Sequence, residues 1–405
     1  MGMKQGWRIK KLGEVCYFER GLTYAKGDEV ATSSKGVLRS NNIDLITNSL
    51  NYDDIKYLRE DFEIPSKKMV RKNSLLMCIS NGSKIHLGKV ALIEDDIDYA
   101  FGGFMGLLTP NEAIIHPRYF YYALISPAYK MMIQGLSDGA NINNLKFADL
   151  QSFDIPIPPL AEQERIVEIL DREFEKIDVL KANAERSLQQ AKDLFQSALK
   201  QELQPKEGWE TKRLSDICVI TSSKRIFKSE YVAEGIPFYR TKEVKEIANN
   251  LPISVELYIS NEKYSEIKNK FGVPQINDLL VSAVGTIGEI MVVTDDKPFY
   301  FKDGNLVWLK GIQGVHSWYL KYYLKSIIDD IKNMTRGAAY NALTIEKFQT
   351  MDICFSSMAE QKQIVMRLDK LSTLCKALEE NYTKTMALCD DMKQALLRQA
   401  FNGEL

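Results

Sequence analysis

The chain has 405 residues, room for two or three domains with their own cores, and its 45% hydrophobic and 26% charged composition is ordinary for a globular protein. Net charge is −1, from 53 Lys and Arg against 54 Asp and Glu, so bulk charge supplies no nucleic-acid footprint and any basic surface must come from local placement. Six cysteines without a C-x-x-C pair, and three histidines far apart (His86, His116, His316), argue against a zinc site or a histidine-based triad. The cysteines read as reduced, mostly buried thiols in the cytoplasm. The first eleven residues are charged and lack an apolar signal-peptide core, and no apolar run approaches ~18 residues, so no membrane span is expected.

In chain order, Gly6-Trp7, a basic pair, Leu12, an acid, an aliphatic residue and Cys16 return as Gly208-Trp209, Lys212-Arg213, Leu214, Asp216, Ile217 and Cys218. A repeat this long is a domain duplication, since solenoid units run ~20–50 residues. Both tryptophans are expected as core anchors. An apolar strand then runs into a short polar loop at Val37–Ile43 and again at Pro237–Val244. Its Arg39, Asn41, Asn42, Arg240 and Lys242 are residue types that hold phosphates and read base edges, although single residues of this kind are equally at home in solvent.

Buried-strand runs follow at Asn73–Ser80 and Asn277–Val284, each leading into a glycine-bearing turn. The first, Gly82 to Val90, imitates a phosphate loop and fails the pattern. It has five residues between Gly82 and Gly88 where four are required, and Val90 stands where Ser or Thr must hold Mg²⁺. Tight turns are expected, with Lys84 and Lys89 able to face a backbone phosphate. Tyrosine-rich helices are expected over His116–Gly135 and His316–Thr335, followed by glycine loops carrying Asn141, Asn143 and Asn341. Lys224, Arg225 and Arg336 complete the candidate DNA contacts.

Each half closes on a junction and a long helix. Pro156-Ile157-Pro158-Pro159-Leu160-Ala161-Glu162-Gln163 is answered by Phe355-Ser356-Ser357-Met358-Ala359-Glu360-Gln361. Proline suits this stop, fixing φ and withholding a donor just before the helix. In the second helix Ile364, Leu368, Leu371, Cys375, Leu378, Tyr382, Thr385, Cys389, Met392 and Leu396 step by four and three, a heptad seam. The first is weaker but in register, with Ile166, Leu170, Ile177 and Leu180. The expected layout is α+β. Residues 1–159 and 204–357 form two similar strand-rich bodies, and the helices 160–203 and 358–405 pair as an antiparallel coiled coil of about 60 Å. Such a rod would put the bodies at opposite ends, spanning roughly 15–18 base pairs.

These features together resemble the specificity subunit of type I restriction–modification enzymes, over essentially the whole chain. The junction at Pro156–Gln163, the Trp7 and Trp209 openings and the closing run Ala395–Leu405 carry the likeness. The resemblance implies two target-recognition domains, each reading one half of an asymmetric bipartite sequence in double-stranded DNA. It also implies docking of two adenine methyltransferase subunits and later of motor–endonuclease subunits. S-adenosylmethionine, ATP and Mg²⁺ then belong to those partners, and none to this chain. Ala161, Glu162, Gln163, Ala359, Glu360 and Gln361 are the candidate docking surface, with helix capping by first-turn carboxylates as the plainer reading.

No enzymatic signature stands beside it. Ile157-Pro158-Pro159-Leu160 lacks the flanks of an adenine-methylase Asp/Asn-Pro-Pro-aromatic motif, and Phe101–Gly106 fails the glycine spacing of a cofactor loop. Neither Glu243-x-Lys245 nor Glu266-x-Lys268 follows a nuclease Pro-Asp. A non-catalytic subunit is expected. The rival is a coiled-coil interaction scaffold whose duplicated bodies bind proteins and never DNA.

Overall fold

The computed structural model describes residues 5–138, 144–284, 287–334 and 343–405. The chain divides into two units, one of residues 1–185 with 383–405 and one of residues 186–382. Each long helix therefore contributes to both.

In the first unit a four-stranded antiparallel sheet runs in the order Cys16–Arg20, Met105–Pro110, Leu75–Cys78, Val90–Leu92. A second sheet orders Glu29–Val30, Lys56–Leu58, Lys35–Leu38 and Tyr99–Phe101, its last pair parallel. Arg8–Lys11 pairs antiparallel with Asp154–Ile157, the strand just before the helix. The second unit repeats all three sheets. Its strands are Val219–Thr221, Leu306–Lys310, Leu279–Ser282 and Ile290–Val292, then Tyr231–Val232, Tyr258–Ile259, Ile236–Tyr239 and Tyr300–Phe301, then Glu210–Arg213 with Asp352–Phe355. The proline junction thus closes each body as a strand before it becomes a helix. Pro156 is tolerated there because the ribbon has only two strands.

Leu75–Cys78 and Leu279–Ser282 are buried along their whole length, as the apolar runs Leu75–Cys78 and Leu279–Val281 require at the middle of a covered sheet. Trp7 is buried in the first core, while Trp209 is part-buried and meets Tyr319 edge-on at 6.4 Å between centroids. The six cysteines are free and buried.

Two expectations about the bodies are corrected. The tyrosine helix of the first unit is broken into Pro117–Ala123 and Pro127–Asp138, because Pro127 cannot continue a helix, whereas Ser317–Met334, with Ile327 near that point, is continuous. The polar stretch after Tyr239 is the helix Thr241–Ala248, where the first unit has only the single 3₁₀ turn Ser40–Asn42.

The long helices run Leu160–Leu203 and Met358–Asn402, both free of proline and glycine. In the first unit they pair antiparallel. Lys181 Nζ reaches Asp390 at 2.6 Å, Lys393 Nζ reaches Asp178 at 2.5 Å, and Arg165 reaches the Leu405 carbonyl at 2.7 Å, so numbers rise on one helix as they fall on the other. In the second unit Arg367 forks onto Glu202 at 2.8 and 2.7 Å. Both cores extend into the pair. Ile166, Val167 and Leu170 join Leu397 and Ala400 in one, and Leu199 and Leu203 join Ile364, Val365 and Leu368 in the other.

Of the predicted seam, Ile166, Leu170, Ile177, Ile364 and Leu368 are buried, and Leu371 and Leu396 part-buried. Leu180, Leu378 and Met392 are not seam residues, being 46%, 38% and 49% exposed. Their successors Lys181, Glu379 and Lys393 are the part-buried residues instead. Lys181 and Lys393 lie there because their ammonium groups reach Asp390 and Asp178 on the facing helix within the first unit. Ala184, Ala191, Cys375 and Cys389 stay buried along the middle stretches.

Candidate nucleic-acid interface and helix clamp

The candidate DNA-contacting residues gather at two equivalent places. Arg39 ends the strand Lys35–Leu38 and caps the turn after it, and Arg240 does the same after Ile236–Tyr239. Each backbone N–H donates to the side chain three residues on, Arg39 to Asn42 Oδ1 at 2.8 Å and Arg240 to Glu243 Oε2 at 2.7 Å. Each guanidinium reaches a more distant acid, Arg39 to Asp54 at 3.0 Å and Arg240 to Glu256 at 2.9 Å. The residue two places on converges on the same acid, Asn41 onto Asp54 and Lys242 onto Glu256. Sequence reasoning found the cations and missed the acids. Asp54 and Glu256 lie 15 and 16 residues downstream, across a strand register that only pairing fixes.

Two candidates are turned inward. Asn42 is fully buried, its amide spent on Arg39 N–H and the Asn51 carbonyl. Lys89 is 8% exposed and donates to the Ile43 carbonyl at 2.7 Å, burial lowering its pKa. Neither is free to meet a phosphate. Lys84 is exposed in the 3₁₀ turn Lys84–His86, beside a cleft of about 490 Å³ that Lys130, Ile46 and Ile133 also line. Lys224 lies over the Phe271 ring at 5.1 Å, and exposed Arg225 pairs with Asp303 at 2.9 Å. Asn141, Asn143, Arg336 and Asn341 lie outside the described residues.

Glu243 is fully buried. Burial pulls its pKa up, but the hydrogen bonds from the Arg240 guanidinium and amide outweigh burial and hold it below the ordinary carboxylate value. An unfolded Glu titrates near ~4.3, so the stabilisation is complete above about pH 4.3 and is lost as pH falls through the lower folded value. Urea midpoints of the second unit should therefore drop below about pH 4, and Glu243→Gln should flatten that dependence. Equal slopes in both proteins would exclude Glu243 as the source.

The junction holds a second duplicated arrangement, and here an expectation is overturned. Gln163 and Gln361 are fully buried and present nothing to a partner. Gln163 accepts from His116 N–H at 2.8 Å and donates to the carbonyls of Pro158 at 2.8 Å and Ile114 at 3.0 Å. Gln361 repeats this with His316 N–H at 2.7 Å and the carbonyls of Ser356 at 2.8 Å and Gly314 at 3.3 Å. The tyrosines add to it. Tyr119 and Tyr319 donate to the carbonyls of Pro156 and Cys354 at 2.9 and 2.8 Å. Tyr122 bonds Asp171, and Tyr322 bonds Asp369 at 2.5 Å, each acid about two helical turns beyond the glutamine. Every body is thus fastened to the start of its own helix by one repeated set of bonds. Ala161 and Ala359 remain exposed at the same helix starts, with Glu162 and Glu360 part-exposed.

Residues 4–189 and 206–386 match the family described as the type I restriction modification DNA specificity domain. The chain belongs to the specificity subunits of type I restriction–modification systems. It is 25% identical over its whole length to the StySPI specificity subunit of Salmonella potsdam and to the EcoKI specificity subunit of Escherichia coli K12, covering 90% of each. Its fold is similar to a chain from a structure concerned with complex assembly and conformational transition of the type I system, at TM-score 0.80, 22% identity and full coverage of both chains. The HsdS subunit of Thermoanaerobacter tengcongensis follows at TM-score 0.58 and 21% identity, with 100% of this chain and 99% of that one covered. As a specificity subunit the protein serves DNA target recognition through two target-recognition domains and is not itself catalytic. Among the described residues no helix is long and apolar enough to cross a membrane.

Proposed function

We propose that this specificity subunit recognises an asymmetric, bipartite duplex target, one half-site per body, with the long helices setting the distance between half-sites. The observation that supports this reading best is the repeated clamp, which ties each body to its own helix through the same bonds. Related bodies on antiparallel helices suit half-sites on opposite strands, as the two-fold axis of DNA does for dimeric readers. The bodies differ where their candidate contacts lie, Asn41 and Asn42 against Lys242 and Glu243, so the half-sites should differ too. Phosphate contacts would set register and groove contacts would set sequence.

The subunit would recruit two adenine methyltransferase subunits and motor–endonuclease subunits, which bring S-adenosylmethionine, ATP and Mg²⁺. Exposed Ala161 and Ala359 and part-exposed Glu162 and Glu360 are the docking candidates, Glu162 being paired with Arg165. The cytoplasm is the compartment that suits a DNA-recognition subunit with six free, buried thiols.

The test is a band shift with the methyltransferase-bound protein. A duplex carrying the right split sequence should shift, and affinity should fall steeply as salt rises, because bound phosphates release counterions. A scaffold that does not touch DNA would give no sequence-dependent shift.

A further inference from the structure

The two arginine arrangements share a plan and differ at one position. Three residues after Arg240 stands Glu243, whose carboxylate takes Arg240 Nη2 at 2.7 Å and Nε at 3.4 Å, while Glu256 takes Nη2 from the other side. Three residues after Arg39 stands Asn42, whose amide is spent on Arg39 N–H and Asn51. Among the described residues Arg39 Nε is then buried without a hydrogen-bond partner. Its ion pair among the described residues is to Asp54, whose side chain is 66% exposed, whereas Glu243 is fully buried.

The balance of forces follows. An exposed ion pair is screened and weak, and an unpaired buried donor penalises the resting position of Arg39. Arg39 therefore gives up little by turning to a new acceptor pair. Arg240 would have to abandon a buried carboxylate and leave that charge unpaired, which is strongly resisted.

We infer that residues 42 and 243 set the role of the arginine before them, leaving Arg39 as a specificity-determining residue that reads a guanine edge in its half-site and fixing Arg240 as a strut that positions Lys242. This rests on the bipartite reading above. The strut holds Glu256, and Glu256 in turn holds Lys242 Nζ at 2.5 Å.

The experiment maps modified sites on a random-sequence duplex library with the methyltransferase-bound complex. Lysine keeps charge for a phosphate but loses the planar fork that pairs with guanine O6 and N7. Arg39→Lys should therefore lower discrimination at one guanine position of one half-site by about ten- to a hundredfold, leaving the other half-site and the spacing unchanged. Asn42→Glu, which installs the second-unit arrangement, should reproduce that loss. Arg240→Lys should loosen Lys242, which then holds a phosphate less firmly, and so lower affinity while leaving the bases of its half-site unchanged. The intact half-site reports on folding and assembly in every variant.

An unchanged target in Arg39→Lys, or changed bases in Arg240→Lys, would overturn the inference. If wild type itself modifies no split sequence, the bipartite reading fails instead, so the two failures are distinct.

Discussion

Replacing Gln163 with leucine is expected to destabilise the first unit by about 3 kcal/mol or more and to leave the second unit nearly unchanged. Leucine has similar bulk and excludes water, but it strands the His116 N–H and the carbonyls of Ile114 and Pro158 that the amide now serves. A buried polar group left unpaired costs about 1–3 kcal/mol, and three are affected together. Against a total stability of about 5–15 kcal/mol for a domain, the loss is large. Gln361→Leu should do the same to the second unit through His316, Gly314 and Ser356. Hydrogen exchange read by mass spectrometry separates the two, since protection around 114–123 should collapse in one variant and around 314–323 in the other. Equal exchange in both segments of both variants would show that the glutamines are not local fasteners.

Removing one heptad from each long helix, residues 177–183 and 388–394, is expected to shift the permitted spacing of half-sites without changing their bases. The pairs Lys181–Asp390 and Asp178–Lys393 place these two heptads opposite each other, so both partners of each pair leave together. Seven residues keep the phase of the seam. Ala184 takes the place of Ile177, and Leu396 that of Cys389. The helices, about 66 Å long as they stand from 44 and 45 residues, shorten by about 10.5 Å, or about 3 base pairs. Three base pairs also turn the duplex by about 100°, so the modification rate should fall while the surviving target keeps its half-sites. Altered bases at unchanged spacing would refute the helices as the measuring element. Deleting only one heptad breaks the register of the pair and should abolish modification altogether.

Duplication, the two bodies and the two long helices were legible in the sequence because they rest on repeated and periodic features. Trp7 and Trp209, the junctions at Pro156 and Phe355, and the stepping of Ile364 and Leu368 are visible in one dimension. The arginine positions were found for the same reason, as polar residues closing an apolar strand. What failed was the direction of individual side chains. Gln163 and Gln361 looked like a surface motif beside exposed Ala161 and Ala359, yet a helix turns about 100° per residue and carries them into the core. Leu180, Leu378 and Met392 stand exposed where the seven-residue stepping put them in the seam.

The sequence by itself determined that this protein is one design written twice, ending each time in a helix that must bury an apolar stripe. Only the tertiary structure decided which polar residues are spent inside. Asn42 and Lys89 are used within the first body, Glu243 holds Arg240, and both glutamines fasten body to helix. The physical reason is that burial and hydrogen-bond partnership depend on residues tens of positions apart. Asp54 and Glu256 become partners of the arginines only after their strands have paired.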